Sequence, residues 1–156
     1  MRLLLLCIFC GMILCLSSPG MAGQSGPDTQ LTELEIRRDF EAALDLWRDG
    51  RYEELYGRTY VSGRVSRESV LQRLAAAGRR PACCWEKLQE VEIIVGTVNT
   101  ATLQARIGLE GRFGTIEHNT RSFRLLRQDG HWKPAMADIL SLAGRATVKS
   151  STYRQP

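Results

Sequence analysis

This chain is short of the residues that most chemistry needs. It has two histidines and five cysteines in 156 residues. Cys7, Cys10 and Cys15 fall in the apolar N-terminal run, so Cys83 and Cys84 are the only cysteines elsewhere. A structural zinc site takes four ligands, usually with a spaced cysteine pair. The adjacent cysteines, His118 and His131 do not supply that spacing, so no metal and no cofactor is expected. Outside the apolar N-terminal run, where Cys7 and Cys10 fall, there is no C-x-x-C at a helix start, which argues against a thioredoxin-like role. There is no long basic block either. The formal charge of +4 is spread as mixed-sign surface charge. A nucleic-acid reader needs a clustered stripe and a motif, so no nucleic-acid partner is expected. Internal repeats and low-complexity tracts are absent, and the length fits one small domain.

The N-terminus is where apolar residues concentrate. Arg2 is a minimal positive start, Leu3–Leu16 is apolar, and Ser17-Ser18-Pro19-Gly20 breaks the run. Gly20-Met21-Ala22 has the small-x-small form of a signal-peptidase site. Met1–Ala22 therefore reads as a cleaved secretory signal, and the protein as exported, either periplasmic or secreted. The run is well below the ~20 residues that span a bilayer, so membrane contact is expected only through the signal before cleavage. Lipidation is disfavoured because Leu14, not a small residue, precedes Cys15.

Residues 23–30 read as a flexible polar linker, 31–142 as an α+β domain and 143–156 as a mobile basic tail. Thr32 and Glu35 form a capping box. Ile36, Phe40, Ala43, Leu44 and Trp47 then follow at helical spacing, and Asp49-Gly50 stops the helix. Tyr52, Leu55 and Tyr56 share one face of a short turn. Thr59–Ser66 reads as extended, and Ser66 caps a helix over Arg67–Ala77. Arg79-Arg80-Pro81 reads as a connection.

After Pro81 the period changes to two. Val91, Ile93 and Val95 alternate with Glu90, Glu92 and Ile94, and Leu103, Ala105, Ile107 and Leu109 with Thr102, Gln104, Arg106 and Gly108. Gly114–Arg127 is a third run, Asp129-Gly130 is a hairpin signal, and Trp132–Ile139 reads as the last strand. Helices first and strands afterwards make an α+β protein: N-terminal helices packed on a curved four-stranded antiparallel meander.

The order of elements resembles the NTF2-like, cystatin-like α+β cone superfamily. The residues that carry the likeness are Ile36–Trp47 with Gly50 and, above all, Ser122–Asp138: a penultimate strand, an Asp-Gly turn, then Trp-Lys leading the last strand. The resemblance implies a pocket at the open end of the cone, where small ligands bind or catalysis occurs. Fold alone does not decide between these. Trp47, Tyr52, Tyr56, Trp85, His118 and Asp138 are the candidate pocket residues. In enzymatic members a tyrosine donates to an oxyanion and an Asp or His is the base. That implies a lyase or isomerase alternative built on Tyr52 or Tyr56 with Asp138 or His118. A cone filled by Phe40, Leu44, Trp47, Ile107 and Phe123 would sink it. For Trp47 and Trp132 a place in the core is favoured, and Trp85 stays open.

The reading favoured is an exported, non-catalytic binding or protein-interaction domain. Its partner would be a small apolar ligand in the cone or a protein on the sheet, and a homodimer through the sheet is a further expectation. Cys83 and Cys84 leave three readings. They are reduced small hydrophobes split across two faces of a strand entry, a vicinal disulfide, or an intermolecular or redox pair. An oxidising compartment favours oxidation. Neighbouring Cα atoms lie ~3.8 Å apart, closer than the ~4.4–6.8 Å of ordinary disulfides.

Overall fold

The computed structural model describes residues 27–111 and 113–144. The expected signal at Met1–Ala22 and the tail beyond Gly144 lie outside the described residues. Among the described residues no helix is long and apolar enough to cross a membrane.

The chain begins with a long helix, α1 (Pro27–Arg48), then α2 (Tyr52–Gly57) and α3 (Arg67–Ala75). The first helix starts earlier than its sequence suggests. Proline is favoured at the first helical position because its φ is already helical, and Asp28 complements the positive end of the helix. The four residues from Pro27 to Gln30, read as linker, are helical. Thr32 is accordingly no cap. Its hydroxyl donates back to the Asp28 carbonyl at 2.9 Å. Ser66 does cap α3, accepting from the Ser69 N–H at 3.2 Å.

The strands are β1 (Arg79–Pro81), β2 (Gln89–Thr97), β3 (Thr100–Gly111), β4 (Ile116–Gln128) and β5 (His131–Pro134). All pair antiparallel in one strongly curled sheet. Arg79–Pro81 is thus a fifth, short strand and not a mere connection. It pairs with the end of β3, and β2 pairs with the rest of the same edge. A 3-10 turn, Cys84–Lys87, lies between them. Two register shifts interrupt β2, and such bulges bend a strand and sharpen its twist. The β4–β5 hairpin turns at Asp129-Gly130, where φ is 54° and 75°. Two positive φ values in a row match the right-handed twist of the flanking strands, which is why Asp-Gly is suited to that turn.

The last element differs from its sequence reading. Trp132–Ile139 is not one strand: β5 stops at Pro134, and Met136–Ala143 is a helix, α4. Met136, Ile139, Leu140 and Ala143 recur at helical spacing and all are buried. They pack on α3 and β1, cover that a strand continuing along β4 would not provide. Asp138 therefore sits in the first turn of a helix, and the helix takes in Ala143, the first residue assigned to the tail.

The core is the meeting of two periods. From α1 come Ile36, Phe40, Ala43, Leu44 and Trp47. From β3 come Ala101, Leu103, Ala105, Ile107 and Leu109, with Phe123, Leu125 and Trp132 from the next strands. The Phe40 and Phe123 rings meet at 4.8 Å between centroids. Asp39, buried on α1, pins the hairpin: its Oδ2 accepts the Trp132 N–H at 2.9 Å, and its Oδ1 accepts from Arg38 at 3.1 Å.

Candidate functional site

The interior of the cone is full. Phe40, Leu44, Trp47, Ile107 and Phe123 are 0–1% exposed and pack against one another. Among the described residues, two clefts lie at its margins.

The first, of about 320 Å³, lies at the C-terminal end of α1. Tyr52 contributes accessible aromatic surface over the buried Trp47 and Leu74, and Arg48, Arg79, Arg80 and Glu110 the charge. The fold brings these together from distant positions. Arg48 is the last residue of α1, where a cation suits the helix dipole. Gly50, with φ at 75°, turns the chain so that α2 brings Tyr52 back beside it. The antiparallel pairing places Arg80 opposite Glu110.

Arg48 Nη1 donates to the Pro81 carbonyl at 2.7 Å and to Glu110 Oε2 at 3.3 Å. Arg80 Nε donates to the same Glu110 oxygen at 3.1 Å. The hydrogen bond from Arg80 holds the Glu110 carboxyl below the ordinary carboxylate range, Arg48 assists, and partial desolvation opposes. Arg79 pairs with Glu117 at 3.1 Å. Of the residues lining the cleft, three carry guanidinium groups and one a carboxylate. Such forks suit planar carboxylate or phosphate groups.

The second cleft, of about 210 Å³, lies between α3, α4 and the Val61–Val65 loop. Val61, Val65, Val70, Met136 and Leu140 make it mainly apolar, with Arg73 and Ser141 as polar members. Tyr60 and Asp138 stand beside its lining residues in the chain. Burial raises the Asp138 pKa, against the pull of Arg121. Burial also raises that of Tyr60, with the Asp138 charge adding to it and Arg124 opposing.

A raised carboxyl pKa means that the folded state disfavours the charged form. Below the ordinary carboxylate range Asp138 is protonated in both states and carries no penalty. As pH rises through its raised range, stability is lost. Asp138→Asn is therefore expected to raise the thermal midpoint at neutral pH, with the gain vanishing on acidification below the carboxylate range. Melting curves across pH check this, and a gain that persists in acid would contradict the assignment.

The structure brings together two of the candidate residues, Trp47 and Tyr52, in the arginine cleft. Tyr56 is half-buried, with the Arg67 guanidinium 5.6 Å from its ring centre. Trp85 is 75% exposed on the 3-10 turn, not at a strand entry. His118 is exposed on β4. Neither cleft is lined by Tyr56, Trp85, His118 or Asp138. Cys83 and Cys84 are joined to each other as a disulfide, with both residues exposed and their Cα atoms 3.7 Å apart. The pair stands at the entry to the 3-10 turn, with Cys83 extended and Cys84 in the turn, and not on two faces of a strand.

Sequence reasoning missed Arg48, Arg79, Arg80 and Glu110. The Arg79-Arg80 pair was visible, but Glu110 lies 30 positions from Arg80 and 62 from Arg48. Only the strand register joins them.

No protein-family model matches the chain, and no curated protein matches it. Among solved structures it is similar to a protein of unknown function with a cystatin-like fold from Nostoc punctiforme PCC 73102. The TM-score is 0.51 at 16% identity, over 68% of this chain and 87% of that one. It also aligns with a protein assigned as a calcium/calmodulin dependent protein kinase II association domain from Xanthomonas campestris. There the TM-score is 0.46 at 12% identity, over 70% and 84%. The second likeness carries no argument. The first supports the α+β cone fold and nothing beyond it.

Proposed function

We propose that this protein is an exported, non-catalytic binding domain of the NTF2-like kind whose ligand occupies the arginine cleft. The observation that carries the reading is the lining itself: three guanidinium groups and one carboxylate around Trp47, Tyr52 and Leu74. That chemistry suits a small molecule with a carboxylate or phosphate group and a ring to lie against Tyr52, a refinement of the purely apolar ligand expected from sequence. Export rests on the form of the N-terminal sequence, Met1–Ala22. What favours binding over a lyase or isomerase is that Tyr52 lines its cleft without Asp138 or His118, the candidate bases.

The test is a thermal-shift comparison of benzoate, phenyl phosphate and neutral benzyl alcohol. A ligand selective for the folded state stabilises it by ~2.7 kcal/mol at a concentration about 100 times its Kd. The two anions are expected to raise the midpoint by several degrees and the alcohol to leave it unchanged. Arg80→Gln removes a largely exposed cation and is expected to abolish the shift without lowering the starting midpoint. If neither anion shifts the midpoint, or if Arg80→Gln leaves the shift intact, the reading is wrong.

A further inference from the structure

We propose that Cys83–Cys84 is a thiol–disulfide exchange site: a solvent-facing two-electron centre that reacts with a dithiol while the fold around it stays intact. The proposal is independent of the arginine cleft and of its ligand.

Pro81 pairs with Leu109 and Gln89 with Arg106. The segment between them, Ala82–Leu88, therefore faces only Ile107 and Gly108 on β3 and must leave the sheet. Its base is fixed. The Ala82 N–H donates to the Gly108 carbonyl at 2.8 Å, and the Lys87 Nζ reaches Asp45 on α1 at 2.5 Å. Ala82 and Leu88 are buried, and the Glu86 carbonyl fills the place where Gly108 lacks a side chain. On this base both cysteines are exposed. The disulfide is presented to solvent by a turn that is anchored without it.

A structural role is the competing explanation, and it is weak. A disulfide stabilises mainly by closing a loop in the unfolded chain, with more effect for longer loops. This one joins sequence neighbours, encloses no intervening residue and ties no two elements together. Its effect is local. Cys84 has φ at 59°, a left-handed conformation uncommon for a residue with a side chain. Breaking the bond frees the peptide between the two cysteines, and Trp85, exposed next to them, moves with it. His118 lies opposite Gly108 in the strand register. Directly opposed residues share a sheet face, so its imidazole is on the face that the turn covers.

The chemistry balances without any further reagent. A thiolate of the dithiol attacks one sulfur, forming a mixed disulfide, and the other cysteine leaves as a thiolate that takes a proton. The second thiol of the reductant then attacks the mixed disulfide, releasing the first cysteine as a thiol. Cys83–Cys84 gains two electrons and two protons, and the dithiol becomes a disulfide.

The experiment uses the protein purified without reductant. It is alkylated under native conditions before and after dithiothreitol, and the peptide holding Cys83 and Cys84 is weighed. The expected result is no alkylation before and two additions after, with no denaturant needed and the thermal midpoint unchanged within about 2 °C. Tryptophan emission is expected to change on reduction, and Trp85→Phe to remove that change. The double variant Cys83→Ala/Cys84→Ala is expected to melt with the wild type. Two free thiols in the purified protein would overturn the proposal. So would reduction only in denaturant, or a midpoint that falls with reduction and in the double variant, since the bond would then be a structural one.

Discussion

Gly108→Ala is expected to destabilise the domain by roughly 3 kcal/mol, far more than one added methyl costs on a surface. At this size that is a fall of about 10 °C or more in the thermal midpoint. A Cβ at Gly108 would overlap the Glu86 carbonyl oxygen and stand 3.0 Å from its carbon and 3.3 Å from the Ala82 Cβ. The obstacle is backbone, so no side-chain rotation relieves it. The 3-10 turn would have to lift from β3, straining the Ala82–Gly108 hydrogen bond and the Lys87–Asp45 pair that anchor it. Gly57→Ala is the matched control. It adds the same methyl where nothing lies within 4 Å, at the end of a helix. There alanine is neutral or stabilising by up to ~1 kcal/mol. Urea denaturation of both variants measures the difference. Equal stabilities would mean that the turn does not sit on β3 as described.

That contrast shows what kind of information the sequence held. The α1 stripe, the alternation of β3 and the Asp129-Gly130 turn were legible because each is local: spacing alone decides which residues face inward. The start of α4 was not. Met136, Asp138 and their neighbours alternate well enough for a strand. What made them a helix is the surface offered by α3 and β1, which the pattern does not contain. The arginine cleft was hidden for the same reason, since Arg48, Arg80 and Glu110 meet only through the β1–β3 register. For Cys83 and Cys84 the sequence supplied the alternatives. The exit of Ala82–Leu88 from the sheet, set by pairing on either side, places the pair on an exposed turn, which the pattern does not contain.

The second large effect concerns the interior of the cone. Phe123→Ala is expected to cost about 3–5 kcal/mol, combining lost transfer energy with the cavity left behind. Phe123 is 0% exposed and its ring meets that of Phe40 at 4.8 Å with a tilt of 50°, so part of the cost is the aromatic pair itself. The whole domain is worth only ~5–15 kcal/mol, so the variant should melt about 10–20 °C lower while remaining folded in the cold. Ile94→Ala, on an exposed position of β2, should change stability by no more than ~0.5 kcal/mol. An apolar cavity of this kind stays dry and accepts small aromatic molecules. Benzene should therefore raise the midpoint of Phe123→Ala and leave the wild type unchanged. A wild type that benzene stabilises equally would mean that the cone already holds open space, and the ligand would then belong inside it and not in the arginine cleft. The two variants thus divide the problem: Gly108 tests what holds the disulfide turn in place, and Phe123 tests whether the cone is core or pocket.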